Sequence, residues 1–164
     1  MRFRLLLVLA AAALLAPQAA MASPATLDQR TRKFAADASD CVRRANAVWK
    51  TTPQRIKAAL GAYRREAKRA VGRCLAAHYV LQAYDDLGQW RSFESAARLG
   101  IGAVLQWEDS LFDLVRTFRH PSKAEYAKAM KHNAEAVILW RSFIHKVNAL
   151  RAAAGLPPFK TPPP

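Results

Sequence analysis

From Leu27 to Val48 the apolar and small side chains fall at Leu27, Thr31, Phe34, Ala38, Cys41, Ala45 and Val48, in alternating steps of four and three. Positions at that spacing lie on one stripe of an α-helix, so the segment predicts an amphipathic helix with a single face to bury. The same alternation resumes at Ile56, Leu60, Tyr63, Ala67, Ala70, Cys74, Ala77 and Leu81. Between the two runs stands Thr52-Pro53, which suits an N-cap followed by proline at the first helical position.

A third run starts near Ser92 and carries Ile101, Val104, Leu105, Leu111, Phe112, Val115 and Phe118 before His120-Pro121 stops it. The fourth has the clearest start, because Ser122 and Glu125 make an S-x-x-E capping box. Its stripe runs Tyr126, Met130, Asn133, Val137, Trp140, Ile144 and Val147, and Gly155 ends it. Four amphipathic segments joined by short turns predict an all-α fold, an up-down four-helix bundle with antiparallel neighbours. No strand-like alternation competes. The end, "GLPPFKTPPP", is too rich in proline to continue a helix and predicts an extended, mobile, disordered tail over residues 155–164.

The N-terminus changes the compartment in which this bundle is read. "MRFRLLLVLAAAALLAPQAAMAS" has two arginines, an apolar run from Leu5 to Ala16, a break at Pro17 and small residues at Ala20 and Ala22. That is the layout of a secretory leader, cleaved after Ala22. The competing reading is a retained anchor, but the run is short of the roughly 20 apolar residues that span a bilayer. The expected organisation is a signal peptide over residues 1–22, a helical domain over 23–154 and the tail. The expected location is periplasmic or secreted.

Export gives the chain's two cysteines, Cys41 and Cys74, an oxidising environment in which a lone pair usually bonds. Two buried thiols or an intermolecular bridge are the competing outcomes. Both cysteines lie on buried stripes, yet a tight hairpin centred near residue 52 would put Cys74 about 17 Å too far along the second helix. A disulfide needs its Cα atoms within about 7 Å. A short extra helix from Pro53 to about Leu60, with the long helix restarting after Gly61, removes the conflict, because it moves the midpoint of the bridge into the connection. A Cys-linked dimer is the alternative.

Charge narrows the partners. The chain carries 26 Lys and Arg against 12 Asp and Glu, a net charge of +14. Between the cysteines there are ten lysines and arginines and the single acid Glu66. Arg65, Arg69 and Arg73 follow one another at i, i+4, with Arg64 and Lys68 beside them, off the buried stripe. They predict a solvent-facing basic ridge. Its bland meaning is a solvated face; its sharper meaning is a docking surface for an anionic partner. Nucleic acid is disfavoured by export and by the lack of a recognition-helix or base-stacking pattern. Lipid head groups, acidic glycans or an acidic protein remain.

Catalytic signatures are weak by comparison. No CxxC, CxxCH or Cys/His zinc spacing occurs, and Gly100-Ile101-Gly102 sits inside a helical pattern where close helix packing is its better use. His132 and Glu135 stand at i, i+3, but a di-iron bundle needs Glu-x-x-His pairs on two helices. No metal or cofactor is expected. The polar residues placed inside are Glu108, predicted on the buried side next to Trp107, together with His78, Asn133 and His132. A buried carboxylate there needs a partner, a core-edge Arg, His78 or Asn133. The resulting expectation is an exported, non-enzymatic helical protein whose basic face docks an anionic envelope component or an acidic protein, an inhibitor or immunity-type protein being one version. The alternative is a small envelope enzyme or cofactor- or metal-binding bundle built on those four polar residues.

Overall fold

The computed structural model describes residues 23–85 and 93–160. The expected leader, the helix start near Ser92 and residues 161–164 of the tail lie outside the described residues. Among the described residues five helices follow one another: α1 (Pro24–Trp49), α2 (Pro53–Ala58), α3 (Leu60–Asp85), α4 (Glu94–Thr117) and α5 (Lys123–Ala153). The four long ones form the expected antiparallel bundle, in the cyclic order α1, α3, α4, α5. Side-chain contacts set each register: Arg44 with Glu66, Tyr63 with Phe118, Ser110 with Ala129, and Phe34 with Phe143.

Local chemistry caps three helix starts, two of them at the Thr52 and Ser122 signals of the sequence. Ser23 accepts from the Thr26 N–H at 3.3 Å, with Pro24 in the first turn. Thr52 accepts from the Arg55 N–H at 3.5 Å ahead of Pro53. Ser122 accepts from the Glu125 N–H at 3.3 Å, while Glu125 Oε2 is buried without a hydrogen-bond partner, so the capping box is satisfied from the serine side. α5 ends at a left-handed Gly155 (φ 69°), with the Leu156 N–H returning to the Arg151 carbonyl at 2.8 Å and the Gly155 N–H to Ala152 at 3.1 Å. Only glycine takes that backbone geometry at little cost.

The core is aromatic at its centre and small along its seams. Phe34, Phe93, Phe143 and Trp107 are fully enclosed, and Trp140 stacks at a tilt against Phe143 at 4.9 Å. At the helix contacts sit Ala67, Ala70, Cys74 and Ala77 on α3, Ala96, Gly100 and Ala103 on α4, and Ala129 and Ala136 on α5. Small side chains there let the backbones approach, as Ser110 shows by donating to the Ala129 carbonyl at 2.8 Å. Gly100 serves the close packing expected of it: a Cβ at that position would lie 2.6 Å from Phe34 Cζ and 3.2 Å from Phe143 Cδ2.

Cys41 and Cys74 are bridged, with Cα atoms 4.4 Å apart. Trp49 ends α1 about two turns beyond Cys41, whereas Leu60 begins α3 about four turns before Cys74. α3 therefore overhangs the end of α1 by about 9 Å, and α2 carries the chain across that step. A separate short helix does occupy the connection. Its break, however, falls at Ala59 (φ −140°, ψ 46°) and not at Gly61. Ala59 closes α2 by donating to the Arg55 carbonyl at 3.1 Å and opens α3 by accepting from the Tyr63 N–H at 3.0 Å. Thus one residue makes the corner and Gly61 is ordinary helix.

Other expectations need correction. Phe112, Tyr126 and Met130, assigned to buried stripes, are exposed. The buried face of α5 runs instead through Ala129, Ala136, Trp140, Phe143 and Val147. α5 turns its small residues to α4 because close approach there satisfies Ser110 and brings Trp107 and Trp140 together at 5.9 Å. The tail differs from a mobile segment as far as residue 160. Leu156 and Phe159 pack against the core, the Phe159 N–H donates to Asn148 Oδ1 at 2.7 Å, and Arg151 Nε donates to the Pro157 carbonyl at 2.8 Å.

Candidate functional site: the cationic end of the bundle

The predicted ridge on α3 divides into two halves with different surroundings. Its lower half faces α1. Arg73 Nε lies 3.3 Å from Asp40 Oδ2, and Arg69 Nη1 lies 3.6 Å from Glu66 Oε2. Asp40 also pairs with Arg43 and, at 3.2 Å, with Arg44; Arg44 reaches Glu66 at 2.8 Å. These side chains form an ionic seam over the disulfide. Burial draws the Asp40 carboxyl upward, but the hydrogen bonds from Arg44 and Arg43 outweigh it and hold the group below its ordinary value. The Arg44 guanidinium is in turn held more firmly protonated by Asp40 and Glu66.

The upper half points elsewhere. Arg64 sets its guanidinium 5.4 Å from the centre of the Phe118 ring, and Arg65 and Lys68 are exposed beside it. Phe118 in turn meets Tyr63 edge to face at 5.8 Å. Burial pushes the Tyr63 phenol up to about 12, with Tyr126 adding to the shift. Trp49 and Tyr126 approach at 6.3 Å across the same end. These ring contacts close the bundle where α1 and α4 finish and α3 and α5 begin.

Both connections at this end are basic. The α2 helix brings Arg55 and Lys57, the end of α4 brings Arg116 and Arg119, and the start of α5 brings Lys123; all five are exposed. With Arg64, Arg65 and Lys68 they make eight cations on one end of the molecule. Among the described residues, the ion pairs of the chain reach none of the eight; they engage Arg32, Lys33, Arg43, Arg44, Arg69, Arg73, Arg98, Lys128, Lys131 and Arg151 instead. Sequence reasoning missed Arg55, Lys57, Arg116, Arg119 and Lys123 as members of one patch. The signal was available in the topology, since the first and third connections of an up-down bundle must lie at the same end.

The four inward polar residues do not converge. Glu108 is 19 % exposed at the edge of the core, not inside it, and meets His78 Nδ1 at 3.1 Å across the α3/α4 seam. Asn133 accepts from Trp107 Nε1 at 3.2 Å, on the α4/α5 seam. His132 lies there too, with Nδ1 2.6 Å from Gln106 Oε1 and Nε2 3.8 Å from Asp113 Oδ2. Asp113, almost fully enclosed, is balanced by Lys128 at 3.1 Å. Each polar group thus has a neighbour that explains its burial, and among the described residues no three His, Cys, Asp or Glu side chains are grouped to hold a metal ion.

No described helix is long and apolar enough to cross a membrane. The chain matches no family model, no curated protein and no solved structure.

Proposed function

We propose that this protein works outside the cytoplasm, in the periplasm or as a secreted chain, as a non-catalytic module whose cationic bundle end docks an anionic partner. The observation that carries the reading is the unequal treatment of charge. Cations along the shaft are engaged by Asp28, Asp37, Asp40, Glu66, Glu94, Asp113 and Glu135, while the eight at the end face solvent together. Like charges held close repel, and a fold tolerates such a cluster at modest cost in water while gaining a strong local potential for an anion. The Cys41–Cys74 bridge supports an oxidising location, as does the leader-like N-terminus. An anionic envelope component, whether lipid head group or acidic glycan, or an acidic protein supplies the matching charge. An inhibitor-like role toward another exported protein is one form this would take.

The test measures binding of the oxidised chain to three probes: phosphatidylglycerol vesicles, a polyuronate glycan and an acidic protein. Each is titrated between about 20 and about 500 mM salt. Binding to at least one, weakened steeply by salt and abolished by reversing Arg64, Arg65, Arg116 and Arg119 to Glu, is the expected result. Binding that survives the reversal, or none to any probe at low salt, overturns the reading.

A further inference from the structure

One long side of the bundle continues from the cationic end into an uncovered apolar surface. α3 and α4 run antiparallel in a register marked by Tyr63 against Phe118 and His78 against Glu108. At that register Arg64 comes opposite Arg119, Leu75 opposite Phe112 and Tyr79 opposite Leu105. On α3, Arg64, Lys68, Leu75 and Tyr79 are separated by four, seven and four residues and share one stripe. On α4, Leu105, Phe112 and Arg116 share another, at steps of seven and four, and Arg119 follows in the turn just past the end of the helix. Leu75 is 37 % exposed, Tyr79 65 % and Phe112 55 %, and Leu105 is half-buried between them. The two stripes adjoin, so their apolar and aromatic members form one patch with arginines and a lysine at its upper edge. Clustered exposed hydrophobic side chains of this kind mark interaction sites.

We propose that the α3/α4 face binds a segment of a partner protein that is apolar where it crosses Leu75, Tyr79 and Phe112 and acidic where it reaches Arg64, Arg116 and Arg119. This rests on the docking role of the cationic end and names the class of its partner. Three observations select a polypeptide. The cations occupy the end of the bundle and the apolar patch its side, two surfaces meeting at an edge; a flat bilayer touches one of them at a time, whereas a peptide turns over the edge. The surface combines exposed aromatics with arginine, the residues that carry protein interfaces, and the planar guanidinium pairs two-pronged with carboxylates. Asp109 is exposed three residues before Phe112 and would be pressed toward anionic head groups if the face lay on a membrane. A second copy of the chain is the wrong occupant for the edge, because a net charge of +14 would meet its equal.

The experiment uses the full oxidised chain and three probes: a peptide of about twenty residues with an acidic half and a Leu/Phe/Trp half, an all-acidic peptide of equal charge, and phosphatidylglycerol vesicles. Two variants accompany it, a face variant (L75S/Y79S/F112S), whose changes are all at exposed positions, and an edge variant (R64E/R116E/R119E). The amphipathic peptide should bind about tenfold or more tighter than the all-acidic one. The face variant should remove that difference while leaving the all-acidic peptide's affinity unchanged, and the edge variant should abolish binding of both. Equal affinity of the two peptides, or a face variant that still distinguishes them, overturns the assignment of the face even when the edge variant confirms the cationic end. Loss of vesicle binding in the face variant, with no preference between peptides, assigns the surface to lipid and overturns it also. An edge variant that binds everything as before overturns the docking role itself.

Discussion

Arg151 Nη1 lies 2.6 Å from Asp28 Oδ1, joining the last turn of α5 to the second turn of α1. Arg151 is 2 % exposed, donates through Nε to the Pro157 carbonyl and lies 5.8 Å from the centre of the Phe159 ring. One buried guanidinium therefore ties the end of α5 to the segment just after it and to α1, 123 positions away in sequence. A buried arginine without its carboxylate would be costly, so the pair acts as a unit.

The pH dependence of that unit follows from the direction of the Asp28 shift. Hydrogen bonds from Arg151 first and Arg32 second hold the Asp28 carboxyl below its ordinary 3.8. A carboxyl depressed on folding contributes stability above its unfolded pKa and loses it as the pH falls through the folded one. Asp28→Asn should lower the thermal midpoint at pH 7, and the difference from the parent chain should shrink as the pH falls below 3.8 and vanish once the folded carboxyl is protonated. In a double-mutant cycle, Asp28→Asn and Arg151→Met should be non-additive at pH 7; additivity would show that the contact carries no coupling.

Reducing the disulfide releases a loop closed over a sequence separation of 33. Chain entropy sets the loss at about 3–4 kcal/mol. Denaturant titration with and without reductant should show the midpoint shift, and Cys41→Ala/Cys74→Ala should reproduce it. The intact chain should run as a monomer on a non-reducing gel.

Two glycines in helices should respond in opposite directions to alanine. At Gly100 the added methyl meets the rings of Phe34 and Phe143, and overpacking of about 1–3 kcal/mol exceeds the helix-propensity gain of about 1 kcal/mol. At Gly72 nothing lies within 4 Å of the new Cβ, so the substitution should stabilise by about 0.5–1 kcal/mol. Thermal unfolding of the two single variants checks the sign of each.

The two halves of the α3 ridge should separate by phenotype. Arg69→Glu and Arg73→Glu place acid against Glu66 and Asp40, and should reduce stability by about 1 kcal/mol each. Arg65→Glu and Lys68→Glu meet no carboxylate among the described ion pairs and should leave the unfolding midpoint nearly unchanged, while weakening association with anionic probes at low salt.

Helix starts at Thr52 and Ser122, the stop at Gly155 and the buried stripes of α1 and α3 were legible in the amino acids alone. They depend on short-range rules, a cap three residues from its donor or a period of three to four. The conflict between a tight hairpin and the two cysteines even disclosed the existence of α2. Its corner at Ala59 was not legible, because nothing in alanine's own preference marks that backbone angle; the disulfide and the α1/α3 packing impose it. The face that α5 buries was misread for a related reason. Size and apolarity favoured Tyr126 and Met130, but the bundle admits Ala129 and Ala136, since only small side chains allow α4 and α5 to close on Ser110.

The sequence by itself determined that the chain is helical, that helices begin after Thr52 and Ser122, that it is strongly basic and that its two cysteines could meet. Tertiary structure decided which charges are spent inside the protein and which remain. Arg69 and Arg73 look no different from Arg64 and Arg65 along the chain, yet the acids of α1 and α3 stand beside the first pair alone. The patch on the bundle end gathers residues from two connections more than fifty positions apart, Arg55 and Arg119 among them. Electrostatic potential depends on distance in space, and only folding brings those positions together.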